Sequence, residues 1–129
     1  MMDRCVAGLA NVTPFRGVSA DVGSVYEMGF MRGLGRPVFG YTHDPRPYRD
    51  RVAAECRYQL RRRPCGVQED ADGMAVEDFQ LHDNLMLAGG LVVCGCDPVS
   101  ISEPYAERFT ALTAFERCVA NAAAKLTGA

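Results

Sequence analysis

Ser19-Ala20-Asp21-Val22-Gly23-Ser24-Val25-Tyr26-Glu27-Met28-Gly29 stands between two short apolar runs and sets how they connect. Ahead of it lie Cys5-Val6-Ala7-Gly8-Leu9-Ala10-Asn11-Val12 and a turn-like Thr13-Pro14-Phe15-Arg16-Gly17. Behind it, past Gly35, comes Pro37-Val38-Phe39-Gly40-Tyr41. Runs this short and this apolar suit strands buried on both faces of a parallel sheet. Between them, Ser19 or Asp21 can cap a helix, and Val22, Val25, Tyr26 and Phe30 recur at helical spacing. Gly33 and Gly35 weaken and then end that helix, with Arg32 in its last turn where the helix dipole favours a cation. Pro37 opens the next strand without removing a ladder donor. The order predicts a parallel α/β sheet in which Val6–Val12 and Pro37–Tyr41 are neighbouring central strands joined through the Asp21–Leu34 helix. Such sheets bind ligands at the carboxyl ends of their strands. Gly23 lets a ligand approach the backbone there, and Glu27 follows one turn later on the same helix face. Glu27 is therefore a candidate catalytic carboxylate.

Further along, Thr42–Pro47 reads as an irregular loop above the sheet. Tyr48–Arg62 reads as a helix with Tyr48, Val52, Cys56 and Gln59 or Leu60 along one face. Pro64–Gly73 is polar and turn-rich, which predicts a mobile loop. A short helix begins near His82-Asp83-Asn84, and Leu91-Val92-Val93-Cys94 fits either its extension or a short strand. Glu103-Pro104 opens a final amphipathic helix with Tyr105, Phe109, Leu112, Phe115 and Val119 as its buried stripe.

The chain has 129 residues, enough for one domain with a hydrophobic core. Its net charge of −2 gives no basic excess to suggest nucleic acid as a partner. The cluster from Arg57 to Arg63 reads as a solvated helix end or a grip on a neighbour's carboxylates, with a phosphate or RNA patch as the alternative. No stretch has the apolar length of a membrane span, and no signal-peptide layout opens the sequence. The six cysteines are scattered, Cys94-Gly95-Cys96 is not a zinc spacing, and His43 and His82 are the only histidines. No metal site is expected; reduced, mostly buried thiols in a cytoplasmic protein are.

Asp21, Gly23, Ser24, Glu27 and Gly29, followed by Gly35-Arg36-Pro37-Val38, resemble the nucleoside 2-deoxyribosyltransferase family. Its recurring pattern is an aspartate, a glycine, a small hydroxyl residue, two variable positions, a glutamate and a glycine, then a short helix and Gly-Lys/Arg-Pro-Val. Ala10-Asn11-Val12-Thr13-Pro14-Phe15-Arg16-Gly17 is similar to the family's strand-to-loop segment. Val76-Glu77-Asp78-Phe79 and Asp83-Asn84-Leu85-Met86-Leu87 resemble its later block. The resemblance runs from about Asp3 to Leu87 and implies a flavodoxin-like parallel sheet with flanking helices. Family members begin with a further strand and a glycine-rich turn that nothing here matches. The expectation is a single domain over residues 1–129 that corresponds to the carboxyl-terminal part of the family fold.

What the resemblance implies is transfer of a 2-deoxyribosyl group between nucleobases, with nucleoside and free nucleobase as substrates and no cofactor. Displacement at the anomeric carbon passes through an oxocarbenium-like transition state, which a carboxylate stabilises or bonds to covalently. Glu27 matches the family nucleophile. Asp21 matches a residue near the sugar 5′-hydroxyl and the departing base, a role compatible with capping its helix. Gly23 and Ser24 belong to the substrate site; Phe15 and Arg16, on the loop after the first strand, wall the sugar or base pocket, with ordinary loop packing as their alternative, and Tyr41 and His43 are weaker candidates. Asp83 and Asn84 match the segment that reaches into an adjacent subunit's site, the asparagine amide orienting the nucleophile; helix capping is their alternative. A homo-oligomer with shared sites follows. Two other readings are a related N-glycoside hydrolase acting on nucleosides or nucleoside 5′-monophosphates, and a catalytically incomplete remnant serving as a binding subunit.

Overall fold

The computed structural model describes residues 2–55 and 60–128. Its main elements run β1 (Gly8–Asn11), α1 (Val22–Gly33), β2 (Val38–Thr42), α2 (Tyr48–Glu55), β3 (Arg61–Arg62), β4 (Gln68–Glu69), β5 (Ala75–Val76), α3 (Leu85–Val93), β6 (Val99–Ser100) and α4 (Thr113–Thr127). The decisive reading holds. β1 and β2 pair in parallel, with Ala10 opposite Gly40, and α1 connects them. β6 adds in parallel on the far side of β2, with Tyr41 opposite Val99. The sheet order is β1-β2-β6, so β2 is central as expected, whereas β1, also expected to be central, lies at the edge of the described sheet.

Alternation along β2 divides the core between the two faces of the sheet. Val38 joins Val12, Ala20, Met28, Met31, Leu87 and Leu91 on the side of α1 and α3. Phe39 joins Cys96, Val99, Ala114, Cys118 and Ala122 on the side of α4. Gly40 leaves room for Leu91: a Cβ built on it would stand 2.6 Å from Leu91 Cδ1. Gly35, at φ +69°, ends α1 in the left-handed conformation that glycine tolerates best.

Several expectations need correction. The helix-spaced set on α1 faces outward, Val22 being 83% and Tyr26 76% exposed, while Met28 and Met31 supply its buried face. α4 starts at Thr113, after a short 3₁₀ turn at Tyr105–Glu107, and not at Pro104. Its buried stripe is the small set Ala114, Cys118 and Ala122 at i, i+4 and i+8; Tyr105, Phe109, Leu112, Phe115 and Val119 are all exposed. Small residues win that face because the helix lies close on β2, where Cys118 Sγ is 3.6 Å from the Gly40 carbonyl oxygen.

α2 ends at Glu55; Cys56 and Gln59 lie outside the described residues, and Arg61–Arg62 is a strand. The Pro64–Gly73 segment belongs to an antiparallel meander, β3-β4-β5, with Arg61 opposite Glu69 and Glu69 opposite Ala75. Gly66 at φ +90° and Gly73 at φ +77° make its turns, and Asp70 Oδ1 accepts from Asp72 N and Met74 N in the second. Leu91–Val93 extends α3, which passes through Gly89 and Gly90. Of the cysteines within the described residues, only Cys96 and Cys118 are buried; Cys5 and Cys65 are exposed.

Candidate active site

Asp21 is the residue on which α1 starts. Its carboxylate accepts a hydrogen bond from Ser24 N at 3.1 Å, filling one of the donors that a helix start leaves open. Gly23 clears the space this needs, because a Cβ there would lie 2.9 Å from Asp21 Oδ2. One turn below Gly23, Glu27 is exposed, and among the described residues it makes no hydrogen bond or ion pair. Glu27 and Ser24 line a cleft of about 180 Å³ together with Gly8–Asn11 of β1. An unpartnered carboxylate beside open peptide groups and a serine hydroxyl can meet an electrophilic carbon and hold a polar ligand next to it.

Asp83 and Asn84 stand at the start of α3. Asn84 caps the helix, its Oδ1 accepting from Leu87 N at 3.1 Å. Asp83 is 2% exposed and fully engaged by its own chain. Its Oδ1 accepts from Ser19 Oγ at 2.5 Å and Asn84 N at 2.8 Å, and its Oδ2 accepts from Ala20 N at 3.0 Å. Arg51 lies 3.6 Å from Oδ2 and gives its remaining donors to carbonyl oxygens: Val18 at 2.9 Å, Arg46 at 2.7 Å, and His82. Burial lowers the Arg51 pKa, and the Asp83 charge opposes that fall. Asp83 therefore fixes the loop that presents Asp21 and, in the same stroke, the start of α3 that presents Asn84. Asn84 lines a different hollow from Glu27, about 350 Å³ between α1 and α3, with Val25, Gly29 and Met86.

Phe15 does not line the cleft that holds Glu27. It packs edge-on against Phe109 at 5.7 Å, with the Arg16 guanidinium over its ring at 5.1 Å. His43 is buried, its Nδ1 2.8 Å from the Arg108 carbonyl oxygen, which makes Nδ1 the protonated nitrogen. Burial raises the Tyr41 pKa, and the charge of Cys118 adds to the rise. Asp44, also buried, is gripped by Arg46 at 2.8 and 2.6 Å and by Arg108 at 2.9 Å. Burial would raise its pKa, but the hydrogen bonds from Arg46 and the Arg108 charge outweigh it and hold the carboxyl low. Neither the Arg51–Asp83 pair nor the Asp44 cluster was found by sequence reasoning. The only signal was an arginine beside Val52 on a helix face expected to be buried.

The family model for nucleoside 2-deoxyribosyltransferase matches residues 1–86. An uncharacterised protein of Schizosaccharomyces pombe is 31% identical over 104 residues, which cover 74% of this chain and 49% of that protein. A solved structure described as a 2-desoxiribosyltransferase from Leishmania mexicana is similar with a TM-score of 0.53 at 27% identity, over 87% of this chain and 60% of that one. The chain thus spans about half to three-fifths of the length of the proteins it matches. With the family match covering two-thirds of its residues and the parallel sheet in place, the chain belongs to the nucleoside 2-deoxyribosyltransferase family.

Proposed function

We propose that this chain transfers a 2-deoxyribosyl group from a nucleoside to a free nucleobase, with Glu27 as nucleophile. The observation that carries the reading is the unpartnered Glu27 carboxylate in its cleft, one turn below the Gly23–Asp21 start of α1. A Glu27 oxygen attacks the anomeric carbon and the bond from that carbon to the base nitrogen breaks. Asp21 delivers a proton to the departing base. The glycosyl ester on Glu27 is then opened by a nitrogen of the second base, whose proton passes to the Asp21 carboxylate; this restores the Glu27 carboxylate and the protonated Asp21 and gives net retention. In this reading Ser24 lines the substrate cleft beside Glu27, Gly23 lets the ligand approach the backbone, Phe15 stands outside that cleft, and no cofactor takes part. The reaction serves nucleotide salvage in the cytoplasm.

Asn84 lines a hollow that does not include Glu27, which favours its acting on the Glu27 of a second copy. Exposed Val22, Tyr26 and Met86 on α1 and α3 give such a copy an apolar surface to cover, and a homo-oligomer with shared sites follows. The exposure of Glu27 supports one other reading, in which water opens the intermediate and the reaction is hydrolysis.

The test is base exchange followed by chromatography, with one nucleoside in the presence and absence of an acceptor base. Glu27→Ala should remove nearly all exchange and leave the fold intact, since helices tolerate alanine. A variant keeping more than about a tenth of the rate, less than roughly 1.4 kcal/mol of barrier, refutes the nucleophile. Sugar released equally with and without acceptor selects hydrolysis, and no turnover by the wild-type chain selects the binding-subunit reading.

A further inference from the structure

The carboxyl end of α3 draws cations from two other helices onto one short turn. Arg32, in the last turn of α1, donates from Nη1 to the Gly90 carbonyl oxygen at 2.9 Å and to Cys94 Sγ. Lys125, in the last turn of α4, donates from Nζ to the carbonyl oxygens of Cys94 at 2.8 Å and Gly95 at 2.5 Å. Gly95 makes this grip possible: it sits at φ +62°, and a Cβ there would lie 2.8 Å from Lys125 Nζ. Carbonyl oxygens at a helix end attract cations, so part of the arrangement is capping. Capping does not account for the sulfur. A guanidinium gains little from a neutral thiol, a weak acceptor, and much more from a thiolate.

Cys94 is half-buried between exposed Val93 and exposed Gly95, so a small solute can reach it. A helix carboxyl end carries roughly half a negative charge, which disfavours an anion there; the charges of Arg32 and Lys125 outweigh it. Cys96, two residues on, is buried, and its thiol donates to the Cys94 carbonyl oxygen at 3.4 Å. Burial pushes the Cys96 thiol up, and the Lys125 charge opposes that rise without cancelling it. The two sulfurs thus differ in kind. One is open to solvent and paired with a cation, and the other is held beside it as a thiol. Residues at i and i+2 of a tight turn stand close enough for the Cα separation a disulfide needs.

We propose that Cys94 is a peroxide-reactive thiol, with Cys96 as the partner that closes a disulfide on it. The Cys94 thiolate attacks one oxygen of hydrogen peroxide; the S–O bond forms, the O–O bond breaks and hydroxide leaves. Cys96 then gives its proton to solvent and attacks the sulfenic sulfur. The S–S bond forms, the S–O bond breaks and a second hydroxide leaves. The two hydroxides take up the protons that the two thiols gave, so the pair loses two electrons and peroxide becomes two waters. Closure turns the Cys94 sulfur away from Arg32 and removes one of the two contacts through which Arg32 ties α1 to α3. Nothing in this chemistry uses Glu27.

Timed exposure of the reduced full chain to a small excess of hydrogen peroxide, read by peptide mass mapping, tests it. Wild type should form the Cys94–Cys96 disulfide faster than free glutathione oxidises under the same conditions, and dithiothreitol should reverse it. Cys96→Ala should instead trap the sulfenic acid, which dimedone marks on Cys94. Arg32→Gln and Lys125→Gln should each slow Cys94 oxidation by about threefold or more, measured against exposed Cys5 in the same chain. A variant that lost its fold would expose both sulfurs and react faster, so slowing cannot come from unfolding. Cys94 oxidising no faster than glutathione, or both cation variants matching wild type, overturns the proposal. So does a Cys96→Ala chain without the dimedone mark on Cys94, or a wild-type Cys94 that pairs with some other cysteine.

Discussion

Replacing Asp83 with alanine should cost about 3–5 kcal/mol, the usual loss when a buried charge is left without its partner. The structure supplies the reason. Asp83 accepts hydrogen bonds from Ser19 Oγ, Ala20 N and Asn84 N, and faces an Arg51 that is 1% exposed. Ala20 N is buried and would have no substitute acceptor, whereas half-buried Ser19 and Asn84 can turn partly to water. That uneven rescue argues against summing three full charged bonds of about 1.5–3 kcal/mol each. A domain of this size has about 5–15 kcal/mol in all, so the variant should sit near the edge of folding. With a urea slope of about 2 kcal/mol per molar, the midpoint should fall by about 2 M. Arg51→Met should cost a similar amount, because it strands the carboxylate and several carbonyls. The double variant should be milder than the sum of the two by more than about 1 kcal/mol. A midpoint shift below about 0.5 M for Asp83→Ala, with an unchanged slope, would refute the argument.

Gly40→Ala should destabilise by about 1–2 kcal/mol, because the new Cβ meets Leu91 Cδ1 in packed core; thermal unfolding with and without Leu91→Val, which should recover part of the loss, checks it. The His82 pKa is lowered, by burial first and by the Arg51 charge, against the pull of Asp83. Below its ordinary value of about 6.5 the unfolded chain therefore binds the proton more readily than the folded one. Stability should be unaffected by this group above about pH 6.5 and decline as pH falls through it, and His82→Gln should flatten that decline in melts between about pH 5 and 8. Burial pushes the Cys118 thiol to about 11, with Cys96 adding to the rise. Iodoacetamide at about pH 8 should mark exposed Cys65 quickly and leave Cys118 unmarked in the native protein, as peptide mass mapping will read.

Local chemistry was the legible part of this sequence. The β1–α1–β2 unit declares itself because two apolar runs flank a capped, glycine-bearing helix, and each signal lies within a few residues of the next. Glu27 and Ser24 do share a cleft, as one helix face dictates. Hydrophobic spacing misled on α1 and α4, where large apolar residues face outward and methionine, alanine and cysteine face the sheet. Periodicity reports that a helix has an apolar side; it cannot report which side a particular sheet accepts. The meander was missed because its strands are two residues long, and β3 (Arg61–Arg62) and β4 (Gln68–Glu69) are polar, which leaves no alternating apolar pattern to read. Phe15 and Asp83 needed tertiary information: one is turned toward Phe109, the other is enclosed by residues far away in sequence.

That last contact also orders events during folding. Ser19 and Asp83 are 64 residues apart, so joining them closes a loop whose length-dependent entropic cost is about 4 kcal/mol. β1, α1 and β2 can gather from nearby contacts first, and Arg51 can hold Val18, while Ser19 and Ala20 lack their carboxylate partner until residue 83 arrives. A ribosome-bound chain halted before that point would carry the sheet's first pair but not the geometry of its site. Mutations that slow α3 docking should accordingly delay the appearance of ligand binding more than the appearance of helical signal.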